Sequence, residues 1–72
     1  NSVSMDASGS LIAVADGYPI GTTGHFYCFR EDGSLVWTYA TPDMNWPVAV
    51  SHDGAAITGG GDDGVVYKFA RP

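Results

Sequence analysis

Cysteine is all but absent from this chain of 72 residues: Cys28 stands alone, which rules out an intrachain disulfide. Chains this short bury a small core and are usually reinforced by several disulfides or a structural metal. With disulfides excluded, reinforcement is expected from further chain or from other subunits. Basic side chains are scarce too. Arg30, Lys68 and Arg71 stand against 8 acidic residues, for a formal charge of -5, and no basic stripe exists to neutralise a phosphate backbone. Nucleic acid is therefore not an expected partner. Long apolar runs are missing as well: nothing approaches the roughly 18 residues of a membrane-spanning helix, and no charged segment precedes an apolar one as in an export signal. Membrane insertion is not expected. The first residue is Asn1 rather than methionine, which reads as processing or excision from a longer precursor and leaves a removed export signal open.

What remains favours strands. Lys68 and Glu31 are the only residues of two types that commonly cover helix surfaces, whereas Gly, Ser, Thr, Val and aromatics are plentiful. Alternation and turn punctuation predict an all-β chain of seven short strands at residues 3–5, 11–15, 25–30, 35–40, 48–51, 55–60 and 65–69. A long loop over residues 16–24 contains Pro19 and three glycines, and residues 41–47 form a connection with two prolines. Proline cannot donate a ladder hydrogen bond, so that connection marks a break between two units.

The second unit repeats the first. Shifting residues 3–16 by 45 sets VSMDASGSLIAVAD on VAVSHDGAAITGGG, with Val3 on Val48, Gly9 on Gly54 and Ile12 on Ile57. Shifting residues 24–29 by 40 sets GHFYCF on GVVYKF, with Gly24, Tyr27 and Phe29 on Gly64, Tyr67 and Phe69. The difference between the two shifts is a longer turn in the first copy. A period of about 45 residues holding four strands is that of a propeller blade, a small sheet packed on both faces by its neighbours. Apolar residues on both sides of the third strand agree: Tyr27 and Phe29 alternate with Phe26 and Cys28.

These runs carry a family resemblance. SHDGAAITGGGDDGVVYKF and GHFYCFREDGSLVW resemble the WD40-like and pyrroloquinoline-quinone-like (PQQ-like) propeller repeats through Asp53-Gly54, Asp63-Gly64, Tyr67, Phe69, Gly33, Leu35 and Trp37. The resemblance covers nearly the whole chain and implies antiparallel four-stranded blades, one complete over residues 1–47 and one lacking its outer strand over residues 48–72. It implies that Trp37 docks between blades, and it implies an extracellular or cell-surface setting. The sequence departs from the pattern at His52, where many relatives have proline, and after Phe69, where no fourth-strand G-x-L-x-W follows.

Chemistry finds little footing. Asp62 and Asp63 precede Gly64 between two strands, where Asp-Gly is a hairpin signal, and the alternating carboxylates of a calcium loop are missing. GGGDDG lacks the lysine and following helix of a phosphate-binding loop. His25 and His52 each fall at a strand start or turn without a second ligand at metal-binding spacing. Cys28 aligns with Lys68, a position that tolerates a charge, and is expected to be semi-exposed; its alternatives are a buried inert thiol, which is favoured, and an intermolecular disulfide or reactive group. No catalytic residue, cofactor site or metal site is assigned. Gly33 and Gly64 are expected in turns, and Trp37, Tyr27, Phe29, Tyr67 and Phe69 in packing. Tyr18 in the long loop, with Met44 and Trp46 in the inter-unit connection, are the candidates for contact with a partner.

Two blades cannot close a ring, so the expected partners are identical copies or adjacent blades of a longer polypeptide. The expected role is non-catalytic: structure, self-assembly or protein interaction. The alternatives are a fragment of a larger quinoprotein-like or ligand-binding propeller whose site lies outside this chain, and a peptide platform built on Trp46 and the long loop.

Overall fold

The structure is a computed structural model that describes residues 2–17 and 23–70. Seven strands follow one another as β1 (Ser2–Met5), β2 (Leu11–Asp16), β3 (Gly24–Arg30), β4 (Leu35–Thr41), β5 (Asn45–Val50), β6 (Ala56–Gly61) and β7 (Val66–Ala70). They form an antiparallel four-stranded sheet in the order β1-β2-β3-β4 and an antiparallel three-stranded sheet in the order β5-β6-β7. Within each sheet every strand pairs with its neighbours in sequence, and β4 and β5, which do not pair, mark the division between the sheets.

Those turns share one chemical device. Asp32, Asp53 and Asp63 each accept, through Oδ1, the backbone N–H two residues on, from Ser34, Ala55 and Val65 at 2.9, 3.0 and 2.9 Å. The glycine between sits at φ +88° (Gly33), +74° (Gly54) and +77° (Gly64), a left-handed backbone that a Cβ disfavours. The β1–β2 turn uses a longer version in which Asp6 is buried and accepts from Ser10 N and Leu11 N at 2.9 and 3.3 Å.

The strand starting at residue 48 in the sequence reading begins three residues earlier, at Asn45, and takes in Trp46 and Pro47. A register shift between Asn45 and Val48 gives the reason: a bulge lets Pro47, which has no N–H, sit in the strand without breaking the ladder around it. The link between the sheets thus shrinks to residues 42–44.

One face of each sheet packs against the other. The inner face of the first sheet carries the rows Ser2-Ala15-Phe26-Tyr39 and Ser4-Ala13-Cys28-Trp37, and that of the second carries Val48-Gly59-Tyr67 and Val50-Ile57-Phe69. Leu11, Ala13, Ala15, Phe26, Cys28, Val48 and Ile57 form the buried core between them. Ring centroids of Phe26 lie 5.7 Å from those of both Tyr67 and Phe69, and Trp37 lies 4.6 Å from Phe69. Polar links tie the innermost edges: Val50 N donates to Ser4 Oγ at 3.0 Å, and Ala7 N to the His52 carbonyl at 3.0 Å.

Small residues make this approach close. A Cβ on Gly59 would overlap the Phe26 ring, with Cζ at 2.7 Å, and one on Gly61 would lie 2.9 Å from Asn45 Cα. Neither glycine has a left-handed φ, so their role is room rather than backbone freedom. Asn45 is fully buried and exchanges hydrogen bonds with Thr41, donating from Nδ2 at 2.9 Å and accepting at Oδ1 at 3.1 Å.

Candidate interaction surface

The face of the first sheet turned away from the second has no partner within the described residues. Its rows are Val3-Val14-Tyr27-Thr38, Met5-Ile12-Phe29-Leu35 and Asp16-His25-Ala40. Strand alternation alone puts them there, because their neighbours along each strand fill the core. Val3, Met5 and Leu35 are 65%, 58% and 52% exposed, an apolar surface of a kind that folded chains seldom leave open to water. His25, Tyr27 and Phe29 stack as a ladder, with centroid spacings of 5.6 and 6.1 Å.

A single carboxylate organises the polar end of that ladder. Asp16 accepts from His25 N at 2.8 Å and from the Tyr27 hydroxyl at 3.0 Å, and its Oδ1 lies 3.4 Å from His25 Nδ1. The hydrogen bond to Asp16 pushes the Tyr27 hydroxyl pKa above its ordinary value, because ionised Tyr27 would confront the carboxylate. The Asp16, His25 and Tyr27 side chains are thus held by one another, and the ladder is a fixed surface.

The outer face of the second sheet differs in character. It carries Ala49, Thr58 and Lys68 in one row and Gly60 and Val66 in another. Pro47, Ala49, Thr58, Gly60 and Val66 line a shallow, almost wholly apolar hollow of about 250 Å³, with Val66 83% exposed. Among the described residues no strand pairs with the outer edges of β4 and β7, and Trp37, Tyr39, Lys68 and Phe69 line a groove beside them.

The sequence candidates divide between these surfaces. Trp37, Tyr67 and Phe69 lie between the sheets, whereas Tyr27 and Phe29 lie on the open face. Trp46 is 51% exposed on β5, where its Nε1 donates to Asp62 Oδ1 at 2.7 Å. Met44, read as available to a partner, is instead only 6% exposed; Gly17 closes over it, and a Cβ there would lie 2.7 Å from Met44 Cα. Tyr18 falls outside the described residues. Cys28, expected to be semi-exposed by alignment with Lys68, is fully buried, as in the alternative of a buried thiol. Its face is covered by the second sheet, while the matching face that holds Lys68 is not.

The paired aspartates point apart. Asp62 holds the Trp46 indole, while Asp63 accepts from Val65 N and from the Tyr67 hydroxyl. The Tyr67 hydroxyl holds the Asp63 carboxyl below its usual value, and Asp63 pushes Tyr67 up to about 12. Among the described residues no group of three His, Cys, Asp or Glu side chains is gathered as a metal cluster.

Phe26, named in sequence only as an apolar alternate of the third strand, is the largest side chain sealed between the sheets, and the Asn45–Thr41 pair carries no sequence signal of its own. Period-two alternation in β3 offered Phe26 no less than Tyr27. The repeat drew attention to Tyr27 because it recurs as Tyr67, while Phe26 is replaced by Val66. No protein-family model, no curated protein and no solved structure matches the chain.

Proposed function

We propose that the chain is a non-catalytic β-propeller-type repeat module whose function is assembly, through contact with sheets beyond its own two. The observation that carries this reading is the open Val3-Val14-Tyr27 and Met5-Ile12-Phe29 face of the first sheet. Its rows match, residue type for residue type, the rows Val48-Gly59-Tyr67 and Val50-Ile57-Phe69 that pack between the sheets, save at Val14 and Met5. A surface of that composition belongs in a contact, and leaving it wet forfeits about 25 cal/mol per Å² of apolar area. The resemblance to WD40-like and PQQ-like repeats supports the same reading, since a blade is a sheet covered on both faces, and it favours an extracellular or cell-surface protein.

Light scattering coupled to size separation of the 72-residue chain tests the proposal. Folded chain is expected to run as an assembly larger than a monomer at micromolar concentration. A monodisperse monomer with native circular dichroism overturns assembly as its function.

A further inference from the structure

We propose that the chain assembles head to tail with copies of itself, the outer face of one copy's second sheet docking on the outer face of the next copy's first sheet. This rests on the assembly reading and adds which two surfaces meet.

The contact between the two sheets of one chain supplies the template. There, a face bearing Gly59, Tyr67, Ile57 and Phe69 covers a face bearing Phe26, Cys28 and Ala13, and the large Phe26 ring fits because position 59 has no side chain. The cross-strand registers set up an equivalence. Tyr27 stands opposite Val14 as Tyr67 stands opposite Gly59, so Val14 holds the place of Gly59; Phe26 and Val66 hold matching places one residue earlier on β3 and β7. The open face of the first sheet is therefore the Gly59-type face with valine where the glycine was. A Phe26-type side chain would collide with it. The outer face of the second sheet carries Val66 at that place, smaller than phenylalanine, beside the hollow at Gly60. Large against none inside the chain becomes medium against medium between chains, a volume-conserving exchange that close packing tolerates.

Charge points the same way. The first sheet's open face holds the Asp16 carboxylate, and the second sheet's outer face holds exposed Lys68, whose stem can lie along apolar surface with its ammonium at the rim. A contact between unlike faces closes into a ring or runs into a filament.

The experiment uses two blocked variants, Tyr27→Lys for the first-sheet face and Val66→Lys for the second-sheet face. Head-to-tail contact predicts that each alone runs as a monomer where the parent chain assembles. An equimolar mixture retains one intact pair of faces and should run as a 1:1 dimer. If Tyr27→Lys loses its native circular dichroism, Val3→Lys, at a 65% exposed position of the same face, replaces it. A mixture that stays monomeric overturns the proposal, as does either variant assembling alone as the parent does, which would leave assembly by other surfaces standing. A folded, monomeric parent chain overturns both this contact and the assembly reading.

Discussion

Gly59 sets the spacing between the sheets. Its missing side chain is the seat of the Phe26 ring, and its backbone conformation is one that any residue adopts, so the cost of filling it is steric alone. Gly59→Ala is expected to destabilise the chain by about 1–3 kcal/mol through overpacking. Gly60→Ala, whose Cβ would meet nothing closer than the Val65 carbonyl at 3.5 Å, should stay within about 0.5 kcal/mol of the parent. Urea unfolding of both, with Phe26→Leu alone and combined with Gly59→Ala, checks the argument. Equal losses at 59 and 60, or strict additivity of Gly59→Ala with Phe26→Leu, would dismiss the seat. In sequence the three-glycine run lacks the lysine and helix of a phosphate-binding loop; the structure places one of its glycines under an aromatic ring and another against the Asn45 backbone. Composition could not tell these apart, because what fills the space comes from strands distant in sequence.

At the scale of the element, the turns were the most legible feature, since Asp-Gly carries its own instruction: an acceptor for the N–H two residues on and a residue free to take positive φ. The strands between them followed. Pro47 was misread because proline signals a break, and only pairing reveals a bulge that accommodates it. The turn carboxylates also set a pH response. Asp63 is held down by the Tyr67 hydroxyl and Val65 N–H, Asp53 by the Ala55 N–H and Ser51 hydroxyl, and Asp32 by the Ser34 hydroxyl and N–H, all below the ordinary 3.8. For Asp6, burial pushes upward but the Ser10 hydroxyl and the Leu11 N–H outweigh it. A carboxyl with a lowered folded pKa binds its proton less readily folded than unfolded, so its contribution is present above the unfolded pKa and lost as pH falls through the folded one. Tyr67, raised to about 12, has the opposite sign: its contribution is full below 10.0 and lost as pH climbs toward about 12. Thermal unfolding across pH should give a plateau at neutral pH that falls below about pH 4 and above about pH 10. Tyr67→Phe should soften both limbs; an unchanged profile would detach the Asp63–Tyr67 pair from stability.

For the whole molecule, two sheets cover one face each and, among the described residues, leave two faces open. The sequence reading reached the number of strands and their grouping from local alternation and the internal match. It could not say which side of β3 faces inward, because Phe26-Cys28 and Tyr27-Phe29 are equally apolar alternates and only the position of the second sheet separates them. The same ambiguity misled the reading of Cys28. Lys68 matches it in register, yet one side chain lies between sheets and the other on the outside of the last one. Positions matched between the two halves of the chain need not share an environment when the face that carries one is covered and the face that carries the other is not.

That placement makes Cys28 a clock for the separation of the two sheets. It is the chain's one thiol, and at 0% exposure no reagent touches its sulfur while the sheets stay closed. Modification by a thiol-reactive dye then proceeds only as fast as the sheets part, and when reclosing is quick its rate reports the free energy of opening. Labelling in native buffer should be slow, should quicken with urea, and should quicken again in Gly59→Ala, where the closed state is strained. Labelling at the rate of an unfolded peptide would mean that the sheets are not closed on one another in water.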